Sequence, residues 1–119
     1  MTARLLLVYN ADAGIIAGLF DLAHKIVSPA TYPCSLCDVT YGPLGMDRRW
    51  RAWLQALPFE IAFFHLTDFR ESFPAHVATP LPLIARDDDG VVTVILDAAA
   101  LKAIPTVDGL IAALQSRLA

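Results

Sequence analysis

Cys34 and Cys37 are the two cysteines of the chain and stand as Cys-x-x-Cys in the run Thr31-Tyr32-Pro33-Cys34-Ser35-Leu36-Cys37-Asp38. That spacing brings two sulfurs within reach of one metal ion or of each other. As thiolates the pair supplies two soft ligands and needs at least a third. His24 is the nearest histidine in sequence, and Asp21, one helical turn before it, is placed to orient its imidazole. Thiolates combined with an imidazole select zinc or copper over magnesium or calcium. Asp38, His65 and His76 are the other candidate ligands. As a dithiol, the same pair suits thiol-disulfide exchange with a protein thiol partner: one cysteine attacks a substrate disulfide and the other resolves the mixed intermediate. Cys34 is the candidate nucleophile, because it follows Pro33 at the place where a helical turn would start. Attachment of a c-type haem needs histidine directly after the second cysteine, where Asp38 stands, and an all-cysteine zinc or iron-sulfur site needs two further thiols.

The remaining polar residues have structural accounts. Asp12, in the turn Asn10 to Gly14, caps a following helix, and Arg48, Arg49 and Arg51 belong to a solvated helical face, with contact to an acidic partner as the alternative. His65 alternates with Phe59, Ile61 and Phe63, which predicts a hydrogen-bonded histidine in the core. Asp87-Asp88-Asp89-Gly90 is a hairpin turn, since the glycine and glutamate spacing of a calcium loop is absent. There is no phosphate-binding glycine loop, nucleophile elbow or dinucleotide fingerprint, so no organic cofactor is expected and no enzymatic reaction is assigned. A non-enzymatic alternative is a partner-binding module, docking through Trp50, Trp53 or the Tyr41-Gly42-Pro43 loop.

The elements that position these residues follow from hydrophobic period. Arg4 to Tyr9 is a continuous apolar run of strand length, and Ile15 to Val27 carries apolar residues at helical spacing, ending at Ser28-Pro29. Pro29 to Gly45, rich in proline and glycine, predicts a long ordered loop holding both cysteines. Asp47 then caps a helix with the stripe Met46, Trp50, Trp53, Leu54 and Leu57. Phe59 to Leu66 predicts a second buried strand, the stretch through Pro74 is irregular, and Leu81 to Arg86 with Val91 to Leu96 forms a hairpin. A short helix behind Asp97 and an amphipathic helix through Val107, Leu110, Ile111, Leu114 and Leu118 complete the chain.

This order resembles the thioredoxin-like superfamily: an α/β domain with a central mixed sheet of about four strands, two parallel plus a C-terminal hairpin, flanked by helices. The second half carries the resemblance best, with Pro82, an apolar strand, a glycine turn eight positions after the proline, another strand and an amphipathic helix. The resemblance implies a cis bond at Pro82, with Pro80 as the second candidate. Thioredoxins carry Cys-x-x-Cys between the first strand and helix, where this chain has Asn10-Ala11-Asp12-Ala13-Gly14, so their activity does not carry over with the fold. Here the pair follows the helix, roughly 20 Å along at 1.5 Å per residue, which predicts thiols close together at a site separate from Asn10, Asp12 and Pro82. The motifs Tyr9-Asn10-Ala11-Asp12-x-Gly14 and Thr31-Tyr32-Pro33-Cys34-Ser35-Leu36-Cys37 also resemble a group of short bacterial proteins, a resemblance that implies no activity.

Composition bounds the rest. At 119 residues the chain makes one domain, spanning 1–119. Hydrophobic residues form 56% of it, and mean hydropathy is +0.53, so apolar surface in excess of one small core allows a homodimer. A net charge of −3 gives no general attraction to nucleic acid or anionic membranes. Leu5 to Phe20 is interrupted by Asn10 and Asp12, which predicts neither a signal peptide nor a membrane span. The expected setting is cytoplasmic, with the thiols reduced.

Overall fold

Leu5, Leu6, Leu7 and Val8 are all fully buried, and an extended run can bury every residue only if both faces of its sheet are covered. In the computed structural model, which describes residues 3–10, 35–42 and 45–118, this run forms β1 (Ala3–Val8). The helix expected over 15–27, with His24 and Asp21, lies outside the described residues, as do Asp12 and Cys34. β1 pairs in parallel with β4 (Glu60–Phe64), Leu5 opposite Ile61 and Val8 opposite Phe64. On its other side it pairs antiparallel with β5 (Leu83–Asp88), Val8 opposite Leu83, and β5 pairs antiparallel with β6 (Val91–Leu96). The four-stranded mixed sheet therefore runs β4-β1-β5-β6. This is the α/β architecture expected, with one parallel pair and a C-terminal hairpin.

Alternation along β1 divides two cores. Leu5, Leu7 and Tyr9 face Ile84, Leu96 and the helices α2 (Arg48–Gln55), α4 (Ala98–Lys102) and α5 (Val107–Leu118), joined by Leu36 of α1 (Ser35–Thr40). Leu6 and Val8 face Leu81, Leu83, Ala85 and Phe69, the last from α3 (Leu66–Ser72). Asp47 caps α2 by accepting the N–H groups of Arg49 and Trp50 at 2.9 and 3.0 Å. Trp50 is fully buried and stacks on Trp53 at 5.7 Å, so it belongs to the core and not to a docking face. At the hairpin, Asp89 and Gly90 both have positive φ, 54° and 92°, as a tight turn between twisted strands requires. Of the two candidate prolines, Pro82 carries the cis bond, Leu81-Pro82.

Two stretches differ from expectation. The predicted loop Pro29 to Gly45 contains α1, followed by a short ladder of β2 (Tyr41–Gly42) with β3 (Gly45–Met46). Burial of Leu36 to 1% exposure supports the helix, Thr40 Oγ1 donates to the Leu36 carbonyl at 2.7 Å, and the Asp47 N–H donates to the Thr40 carbonyl at 2.7 Å. The stretch through Pro74 forms α3 and a 3-10 turn, Pro74–His76. Leu66, Phe69 and Phe73 recur at helical spacing there, and Phe69 is fully buried with both Phe64 and Phe73 against it.

Asp87 is a strand residue rather than part of the turn, and it is the buried polar group of the sheet. Arg4, its partner across β1 and β5, donates to Oδ2 from Nε at 3.2 Å and Nη2 at 2.7 Å. Oδ1 accepts the Gly90 N–H at 2.8 Å, so one carboxylate ties the first strand to the hairpin turn. The Arg4 guanidinium holds the Asp87 carboxyl below its ordinary value against the opposing effect of burial, with the Gly90 N–H acting in the same direction as Arg4. A depressed folded-state pKa gives stability that is present above the unfolded value, about 3.9, and lost as pH falls through the folded one. Asp87→Asn should lower unfolding free energy by about 1–2 kcal/mol near neutrality, and the gap from the native protein should close below about pH 4. Denaturant unfolding at several pH values checks this; a gap that stays constant into strong acid would refute the pairing as its source.

Candidate functional site

The strand ends place several functional side chains together. Tyr9 continues the parallel ladder by donating its N–H to the Phe64 carbonyl at 2.9 Å, and its ring is buried to 4% exposure. That ring stacks on Phe63 with centroids 6.2 Å apart and lies 6.2 Å from the His65 ring at a tilt of 44°. Because Val8 is opposite Leu83, Pro82 enters β5 at this same end, on the other side of β1. Asn10, half-buried, follows Tyr9. The register thus brings His65 to the Asn10 and Pro82 end of the sheet, as the parallel pairing predicts.

His65 itself is not the core histidine that alternation suggests. β4 ends at Phe64, and His65 is the extended N-cap residue of α3, with φ −101° and ψ 175°. Alternation stops where the chain leaves the ladder, which leaves the His65 side chain 41% exposed. Its backbone N–H donates to Asp68 Oδ1 at 2.6 Å, and Nδ1 stands 3.8 Å from Asp68 Oδ2. The sequence signal for Asp68 is the spacing His65-x-x-Asp68, by which an acidic side chain reaches back to a helix N-cap. His76 lies beyond the other end of α3, with Nδ1 3.2 Å from Thr79 Oγ1 and its ring 6.1 Å from Phe69. The cap and the 3-10 turn hold the two histidines at opposite ends of that helix.

Cys37 is the third residue of α1, and α1 packs against α4. α4 starts directly after β6, where Asp97 accepts the Ala100 N–H at 2.9 Å, and Leu96 is opposite Ile84. α1, with the backbone of Cys37, thus lies against the helix that follows β6. Leu36 anchors α1 in the core that β1 shares with α2, α4 and α5. The sulfur positions lie outside what the structure describes, as do Cys34 and His24. Among the described residues no three His, Cys, Asp or Glu side chains are grouped to hold a metal ion. Among those same residues no helix is long and apolar enough to cross a membrane.

In comparisons with known proteins the chain matches no family model, no curated protein and no solved structure. The His65 cap makes one local prediction: Asp68→Ala should destabilise the fold by about 1 kcal/mol through loss of the accepted N–H bond. Thermal unfolding, with Asp68→Asn retaining part of the effect, tests it, and an alanine variant with an unchanged midpoint would show the contact to be dispensable.

Proposed function

We propose that Cys34 and Cys37 form a thiol-disulfide exchange centre on a thioredoxin-like scaffold. α1, which carries Cys37, packs against α4, and α4 follows the strand whose Leu96 is opposite Ile84; this packing is what supports the reading. The parallel β1-β4 pair and the antiparallel C-terminal hairpin support the scaffold part of it. In the reaction, the Cys34 thiolate attacks one sulfur of a substrate disulfide, forming a mixed disulfide and releasing a substrate thiolate that takes up a proton. The Cys37 thiolate then attacks the Cys34 sulfur. That closes a Cys34-Cys37 disulfide, releases the second substrate thiol and moves two electrons to the substrate; an external dithiol returns the pair to its reduced form.

The competing assignment of the same residues is a zinc or copper site in which His24 joins the two thiolates, and one preparation separates the two. Protein purified without a chelating tag should show one thiol alkylated with an apparent pKa below the reference value of about 8.5. It should reduce a small aromatic disulfide in the presence of excess dithiol, Cys34→Ser should abolish turnover, and Cys37→Ser should accumulate a mixed disulfide detectable by intact mass. Two unperturbed thiols without turnover would overturn the proposal. About one zinc or copper per chain, lost in His24→Ala, would transfer the pair to metal binding.

A further inference from the structure

A groove of about 250 Å³ runs between α2 and β4, lined by Met46, Arg51, Leu54, Gln55, Ile61 and Phe63. Two periodicities build it. In β4, Ile61 and Phe63 share the face of their β1 partners Leu5 and Leu7, while Glu60, Ala62 and Phe64 take the opposite face. The one carboxylate of β4 is thereby kept off the groove. In α2, Leu54 is buried while Arg48, Arg51 and Gln55, spaced three and four apart, form a polar ridge along the exposed flank. Arg49 pairs with Asp108 at 3.0 Å, but neither Arg48 nor Arg51 has an ion pair among the described residues. Phe63 is 42% exposed at the groove. β4 is an edge strand of the sheet, so among the described residues its outer N–H and C=O groups face no other strand.

We infer that this groove binds an extended peptide segment carrying an apolar and an acidic residue two positions apart, laid along the outer edge of β4. Each part of that description comes from a separate feature. An edge that is unpaired among the described residues accepts a strand through main-chain hydrogen bonds, and alternate side chains of an added strand enter pockets on one face. The floor of Met46, Leu54, Ile61 and Phe63 takes the apolar side chain. A residue two positions on lies on the same face, about 7 Å along, which carries its carboxylate to the rim where Arg51 stands without an ion pair among the described residues. The chain's net charge of −3 gives no general attraction for acids, so selection for the carboxylate is local to this rim. The site does not depend on the chemistry of Cys34 and Cys37.

The test uses the full chain and fluorescent eight-residue peptides with a serine and threonine background. One places leucine and glutamate two positions apart, a second makes them adjacent, and a third replaces the glutamate with lysine. The first peptide should bind saturably, with chemical-shift changes confined to β4 and α2. The adjacent and lysine peptides should bind at least about fivefold more weakly, and Arg51→Glu should weaken the first peptide to a similar degree while restoring the lysine peptide. Arg51 is exposed, and an unchanged melting temperature for the variant shows that it folds. Equal binding of the three peptides, or no saturation at millimolar concentration, overturns the proposal. So does self-association abolished by Phe63→Glu, which gives the groove to a second copy of the chain, or binding of decanoate without the peptide, which gives it to a small carboxylate.

Discussion

Complete burial of β1 is the constraint on which the other elements depend. Leu5, Leu6, Leu7 and Val8 point alternately to two faces and all are inaccessible, so the strand needs a neighbour on each side and a helical layer on each face. Each such side chain contributes roughly 1.5–3 kcal/mol when removed from water, enough to outweigh most local preferences of the chain around it. α2, α4 and α5 cover one face and α3 the other, and both layers are assembled around residues of this one strand. The polar end of β1 is secured as well, because Arg4 meets Asp87 across 83 positions of sequence. Asp87 in turn holds the Gly90 N–H, so the geometry of the final hairpin is coupled to the first strand.

The same strand connects the two regions for which chemistry or recognition is proposed. Tyr9, directly after β1, packs its ring against Phe63 on the groove side and near His65 at the sheet end. Pro82 enters from the far side of β1, and α1 approaches from across α4. Parallel pairing sends β1 and β4 out at the same end, where ligand sites of open α/β sheets commonly form. The acidic residues are distributed unevenly around this frame. Asp47, Asp68 and Asp97 serve helix N-termini, and Asp87 is enclosed, whereas the cationic side chains of α2 remain at the surface.

Much of the frame can be read along the chain because it follows local patterns. The continuous apolar run of β1, the Asp47 and Asp97 caps, the Asp89-Gly90 turn and the stripes of α2 and α5 are all patterns within a few residues. α1 and α3 were less legible. Each is short and has one side chain committed to the core, Leu36 or Phe69, and proline and glycine near them resemble the punctuation of a loop. His65 shows the limit of alternation: the apolar pattern of β4 continues through it, but the ladder has already ended and the residue starts a helix. Asp87 was hidden in a different way, since three consecutive aspartates look alike until Arg4 is brought opposite one of them.

By itself the sequence determined an α/β domain with a parallel pair and a terminal hairpin, because hydrophobic period, caps and turn residues act over a few positions. It also singled out the Cys-x-x-Cys pair as the residues with the greatest chemical potential, since thiol chemistry is a property of residue type and spacing. Which helix α1 packs against, which aspartate is buried, where His65 leaves its strand and which arginine borders an apolar groove were decided only by tertiary structure. Those outcomes depend on register and packing between segments far apart in sequence, and contacts of that kind exist only once the faces of β1 have been covered.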